Sequence, residues 1–400
     1  MNRLLLLLLV FVLPASLSAQ KKELSQARSI LKSGNGLANG QQILEKLLAD
    51  PENRKEEKIW ITLYQTLVKR YDEGNEKLYL KQNYDTALLF NLTAQMATTL
   101  FALDSLDATP DAGGKVKLKY RKKYADELLA YRPNIFFGGS YYTRKGDFKQ
   151  GFRFFDLYVN SASQPLFSGH RLAVTDSVQY RQAAYWATYC AYKLKDADKT
   201  LQYAPEALQN GGDLYCSTLQ YMANAYQWKK DSVNYLNILK RGFHSCRRSL
   251  FFFPRIVDYF TEKNQLDSAL VFTNEALKAD STHLLYLFAK STLLLNMGDN
   301  DGSYAVSEKI IALNDTLAEP YYNAGTAFIN KASKQEETAA GRADKLTLRR
   351  YYENARPYFE RYRQLAPDQQ DKWVPSLYRI YLNLNMGRQF EEMDALMKQH

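Results

Sequence analysis

The stretch Tyr321-Tyr322-Asn323-Ala324-Gly325-Thr326-Ala327-Phe328 decides the fold. Its Gly325 lies 34 residues after Ser291, which lies 34 after Val257, which lies 34 after Ala223. A fixed period between about 20 and 50 residues marks an array of supersecondary units, each unable to bury its apolar face without a neighbour. The block 216–330 is therefore the regular middle of a repeat array, and the rest of the chain is read outward from it.

With those four residues numbered eighth in their units, small residues recur at the eighth and twentieth positions and bulky ones at the eleventh and twenty-fourth. Small residues let two antiparallel helices approach closely, and bulky ones fill the groove beside them. A first unit holds Gly139, Tyr142, Gly146, Gly151 and Phe155, and a second holds Ala187-Thr188, Ala191, Thr200 and Ala207. The third to sixth follow through Ala223, Phe260, Leu294 and Phe328, and a last helix pair runs from Trp373 to Met397. Two departures stand out. Gly139 to Thr188 is 49 residues, and an insert over 331–350 parts Phe328 from Ala355. The insert is rich in Ala, Glu, Lys, Arg and Leu, which predicts lengthened helices rather than a floppy loop.

Tyr321 to Phe328, with Asp267-Ser268-Ala269 through Ala276-Leu277, resembles the two helices of the tetratricopeptide repeat (TPR) family, in the manner of exported repeat proteins of Gram-negative envelopes. The resemblance covers 133–400. It implies an all-α, right-handed superhelical solenoid of helical hairpins, six to seven units plus degenerate helices over 20–132. It implies a scaffold rather than a reaction. In this family the first helices line a concave face, which places Tyr185, Trp186, Tyr189 and Tyr192 there in the second unit, Gln220, Tyr221, Asn224, Gln227 and Trp228 in the third, and Tyr322, Asn323 and Asn330 in the sixth. Rings beside side-chain amides suit an extended peptide or a sugar. The competing reading is that the rings pack between units. The family's carboxylate-binding pattern of paired Lys and Asn is only partly matched by Asn224 and Asn323.

Upstream, Leu37–Leu48, Glu56–Tyr71 and Tyr84–Leu103 read as amphipathic helices, and 109–114 as a loop. Lys115 to Lys123 is a dense basic run, expected to open a helix ending near Arg132-Pro133. It fits contact with an acidic surface or a solvated helix face. Residues 1–19 read as a secretory signal: Arg3, an apolar run Leu4–Leu13, then Ala15 to Ala19. Losing Arg3 takes the net charge from +10 to +9. No later stretch reads as membrane-spanning, so the mature chain is expected in the periplasm or associated with the outer membrane. Nucleic acid is not an expected partner there.

Chemistry finds no foothold in the motifs. His170, His244, His283 and His400 form no metal-ligand pair, and there is no nucleotide-binding glycine loop or nucleophile elbow. No enzyme activity, metal or cofactor is expected. Cys216 and Cys246 flank the third hairpin at ends that an antiparallel pair brings together; they form a disulfide there or stay two thiols. Cys190 is expected as a buried filler. The Asp-Ser/Thr-apolar triplets at Asp85, Asp104, Asp176, Asp231, Asp267 and Asp315 resemble O-glycosylation acceptors of some exported bacterial proteins, and equally read as helix starts. The function expected is an exported protein-interaction scaffold that takes partners on the concave face. The alternative is a glycan- or nutrient-binding protein of the outer membrane.

Overall fold

A computed structural model describes residues 20–398, and the expected signal at 1–19 lies outside them. Every regular element among the described residues is helical. Two units divide at Ile238/Leu239. The first contains α1 (20–33), α2 (Leu37–Ala49), α3 (Glu57–Tyr79), α4 (Thr86–Asp107), α5 (Arg121–Arg144), α6 (Phe148–Ser161), the short α7 (Leu172–Thr175), α8 (Ser177–Lys193), α9 (Ala197–Gln202), α10 (Ala204–Ala207) and α11 (Gly212–Trp228). The division falls inside α12 (Ser232–Ser245). The second contains α13 (Phe252–Glu262), α14 (Leu266–Ala279), α15 (Leu284–Asn296), α16 (Asn300–Leu313), α17 (Glu319–Glu336), α18 (Ala339–Ala343), α19 (Lys345–Leu365), α20 (Gln370–Asn383) and α21 (Gly387–Met397). Within each unit, helices adjacent in sequence pack on one another, as in a solenoid of hairpins.

The period has a backbone cause. Lys230, Asn264 and Gly298 sit 34 residues apart, and all three adopt left-handed backbone, with φ of 56°, 54° and 82°. Each ends the first helix of its hairpin. The next residue's N–H then bonds back to the eleventh position: Asp231 to Tyr226 O, Gln265 to Phe260 O, Asp299 to Leu294 O, each at 2.8 or 2.9 Å. This is the Schellman stop, which satisfies carbonyls the helix end would orphan. Where Asp follows, its carboxylate caps the second helix, Asp231 accepting from Asn234 N and Asp299 from Gly302 N. The position 34 after Gly298 is Ala332, which stays helical and is packed in the core at 0% exposure instead of turning left-handed. α17 therefore runs on to Glu336, and the insert forms lengthened helices around the short α18.

The small-to-large pairing is a register across each hairpin. Gly139 lies under Phe155, and a Cβ there would meet the ring at 2.8 Å. Gly325 lies under Phe359 in the same relation, at 2.6 Å, although the insert separates them. Between Ser291 and Ser307 both partners are small, and the hydroxyls bond at 2.6 Å. The bulky residue expected at the twenty-fourth position is absent there, and Ser303 and Asn323 complete a buried polar knot.

Three expectations are corrected. α5 does not end at Arg132-Pro133 but continues to Arg144 with Pro133 inside, so the boundary expected at 132/133 lies within one helix. Buried Arg132 fixes this place: its Nε donates to Ser161 Oγ at 2.9 Å and its Nη2 to Tyr158 O at 3.2 Å, and it pairs with Asp176. That clamp seats the extra residues between α6 and α8, which explains the interval of 49. The basic run opens the helix only through Arg121, Lys122 and Lys123; 115–120 precede α5, and Asp107 accepts the backbone N–H of Lys119 and Tyr120 at 3.1 and 3.0 Å. Finally, Thr86–Asp107 is long and apolar enough to cross a membrane by length and composition, with half of it buried in the fold. It packs against α3 and α5, and its buried Asp104 takes a two-pronged bond from Arg121 at 2.7 and 2.9 Å.

The register is testable. Gly→Ala inside a helix ordinarily gains about 0.5–1 kcal/mol, whereas forcing a methyl into a packed site costs about 1–3 kcal/mol. Gly325→Ala should therefore destabilise. Gly325→Ala with Phe359→Leu should cost less than the sum of the singles in a denaturant double-mutant cycle; additive costs would contradict the pairing.

Candidate functional site

The site is built by α8 and α11, neighbours in the first unit. Helical spacing puts Tyr185, Tyr189 and Tyr192 on one side of α8 and Tyr221 and Trp228 on one side of α11. The rings interlock. Trp186 meets Tyr185 and Tyr189 edge-on, with centroids 5.2 and 5.6 Å apart. Tyr189 lies 5.9 Å from Tyr221. Tyr192 stacks between Tyr221 at 4.6 Å and Trp228 at 5.7 Å, almost parallel to the latter at 16°. Such offset and edge contacts each contribute about 0.5–1.5 kcal/mol beyond burial.

Burial divides the set. Tyr185 is buried at 6% exposure, its hydroxyl 3.4 Å from that of Tyr221. Burial, then the Tyr185 bond, pushes the Tyr221 phenol far above its usual range. Trp186, Tyr189 and Tyr192 are half-buried, while Trp228 is 38% exposed and Gln227 fully on the surface. Gln220 and Asn224 are half-buried, and Asn224 Nδ2 donates to Gln220 O at 3.0 Å, a bond that does not use its carbonyl oxygen. Both readings of the rings are thus realised on one ladder: its Tyr185 end packs and its Trp228 end presents faces.

The sixth-unit candidates serve packing. Asn323 is 5% exposed, and its amide donates to Ser291 and Thr292, each at 3.1 Å. Tyr322 lies against Phe359 and Tyr362. Asn330 donates to Asn300 at 3.2 Å. Two residues were missed. Phe148, just after the Asp147 cap, meets Tyr189 edge-on at 5.9 Å, with the Lys193 ammonium over both rings. Phe137, half exposed, occupies in the first unit the register position that Trp186 holds in the second, so extending the same numbering finds it.

Cys216 and Cys246 are each disulfide-bonded, and Cys190 is free and buried. Burial lifts the Cys190 thiol to about 11, against a 3.2 Å contact with Thr143 Oγ1. In the basic run, Lys119 pairs with Glu57, Arg121 with Asp104 and Lys123 with Glu127, while Lys115, Lys117 and Lys122 are exposed. Among the described residues, no group of three or more His, Cys, Asp or Glu gathers where it could hold a metal ion.

The chain is similar to solved tetratricopeptide repeat structures. The C-terminal part of a TPR repeat-containing protein from Cytophaga hutchinsonii is 11% identical; the match covers 60% of this chain and 92% of that one, with a TM-score of 0.42. The P58(IPK) TPR domain is 11% identical over 95% of this chain and 99% of that one, at 0.26. The structure of Naa15/Naa10 bound to HypK-THB is 13% identical over 96% and 68%, at 0.38. No family model and no curated protein matches the sequence.

Two outcomes follow. Mass spectrometry of native and reduced protein should differ by two hydrogens, located on the peptides carrying Cys216 and Cys246; equal masses would exclude the bridge. Burial also raises the phenols of Tyr64, Tyr158, Tyr221 and Tyr358. Below the unfolded phenol value of about 10, both states hold these protons and stability is intact. Above it the unfolded chain sheds protons that the folded chain keeps, so stability falls as pH climbs. Tyrosinate absorbance should rise in two phases, the exposed rings near the ordinary value and the buried ones together with loss of helical circular dichroism. A single phase with helices intact would contradict the burial.

Proposed function

We propose that the chain is an exported, non-enzymatic scaffold that holds an extended segment of a partner protein against the presented rings of α8 and α11. The carrying observation is the stack Tyr221–Tyr192–Trp228, ordered by its own contacts yet open to solvent at Trp228. A face already rigid loses little entropy on binding, and Trp and Tyr are the side chains around which binding energy concentrates. Gln227 and Asn224 beside the rings offer partners to a peptide backbone. Export rests on the character of residues 1–19 and suits two disulfide-bonded cysteines. The absence of enzyme activity is inferred from the lack of a nucleophile, base or metal motif in the sequence.

The test is affinity capture of the tagged mature protein from its own envelope, comparing the native chain with Trp186→Ala/Trp228→Ala. Removing two central rings should cost at least about 2 kcal/mol of binding, enough to lose the captured proteins while circular dichroism stays unchanged. Partners retained by the variant would refute the site. Glycans retained in place of proteins would transfer the same rings to a sugar ligand.

A further inference from the structure

The insert that breaks the period borders an open pocket of about 420 Å³ in the second unit, lined by Glu336, Arg342, Lys345, Leu348, Arg349, Tyr352, Asn383 and Asn385. That is within the range of small-ligand sites, about 300–1,000 Å³. The repeat itself cannot make it. It exists because α17 runs past Ala332, α18 folds back and α19 starts early, and the turn after α20 closes the side. None of its residues belongs to the aromatic ladder.

Its floor is ordered and partly apolar. Leu348 and Tyr352 are buried. The Tyr352 hydroxyl donates to Glu336 Oε1 at 3.2 Å and accepts from Arg379 Nε at 3.0 Å, and Arg379 Nη2 reaches Glu336 Oε2 at 2.9 Å. The one lining carboxylate is therefore matched from behind the wall. The rim carries Arg342, Lys345 and Arg349, all exposed. Arg342 is held in place because its Nη1 donates to the carbonyls of Glu336 and Glu337 at 2.7 and 3.3 Å, closing the end of α17 and leaving the rest of the guanidinium to the cavity. Arg349 shares its charge with Glu353 at 2.9 Å, and Lys345 has no ion pair among the described residues. Three cations against one carboxylate leave the lining at +2, the complement of a phosphate monoester.

Asn383 and Asn385 add neutral amides to the same lining. Asn383 Nδ2 donates to Arg379 O at 2.8 Å, so its carbonyl oxygen remains an acceptor. Asn385 ends α20 in left-handed backbone at φ 55°. Cations from α18 and α19, amides from the end of α20 and the turn after it, and the buried Leu348 and Tyr352 share one lining, which matches a ring that bears hydroxyls and one anionic group. We propose that the insert forms a binding site for a sugar phosphate of hexose size, its phosphate at Arg342 and Lys345 and its hydroxyls at Asn383 and Asn385.

Isothermal titration of the full mature chain tests this with three probes: glucose 6-phosphate, inorganic phosphate and glucose. Glucose 6-phosphate should bind at least about tenfold more tightly than either of the others, because cations and amides are then both engaged. Lys345→Glu, on an exposed side chain, should weaken it about tenfold or more and leave the melting temperature unchanged. Asn385→Gly, which keeps the left-handed turn, should weaken glucose 6-phosphate and leave inorganic phosphate unchanged. The proposal is overturned if glucose 6-phosphate gives no binding at millimolar concentration, if inorganic phosphate binds as tightly, or if both variants bind like the native chain.

Discussion

Close approach of the two helices in each hairpin is the constraint on which the rest depends. Gly139 beneath Phe155 and Gly325 beneath Phe359 are the same contact made twice, and the second survives an insert placed between its partners. A side chain at either glycine would hold the helices apart, and each unit would then present its neighbour with a different surface. A left-handed stop at Gly146, Lys195, Lys230, Asn264 and Gly298 fixes where the chain turns back in five hairpins, Gly139's among them, and the Gly325–Phe359 contact forms without one. Period, hairpin and array follow from these two local features.

The two proposed binding sites sit where that regularity is relaxed. α8 and α11 stack rings instead of aliphatic side chains, and the stack reaches the surface at Trp228. The extra residues after α6 are secured by the Arg132–Asp176 pair, a buried guanidinium that also donates to Ser161 and the Tyr158 carbonyl. In the sixth hairpin the missing turn at Ala332 frees chain length, and the added chain borders an open pocket. Irregularity in an array is thus tolerated where each added group finds a partner.

Much of this was legible in the sequence, and what was not has physical reasons. The spacing of Ala223, Val257, Ser291 and Gly325 set the hairpin register, and the composition of 331–350 foretold helix. Pro133 reads as a stop because its ring removes one N–H and crowds the preceding turn, yet α5 runs through it, with Arg132 beside it held by Ser161, the Tyr158 carbonyl and Asp176. The apolar character of α4 was underestimated, since its buried Asp104 and Asp107 find partners only in the folded chain. Among the candidate rings and amides, numbering gave direction but not depth. Asn323 and Trp228 both followed from the same register, yet one lies in a polar knot with Ser291 and the other at an open helix end. Depth is set by the neighbouring hairpin, which a register within one repeat does not contain.

The central claim is that the α8–α11 rings form a presented surface rather than core. Hydroxyl-radical footprinting of the native mature protein, read by mass spectrometry at individual tryptophans, addresses it most directly. Trp373, 3% exposed, serves as the internal buried standard. The account predicts rapid oxidation of Trp228, intermediate oxidation of Trp186 and little at Trp373. Protection of Trp186 and Trp228 equal to that of Trp373 would contradict it.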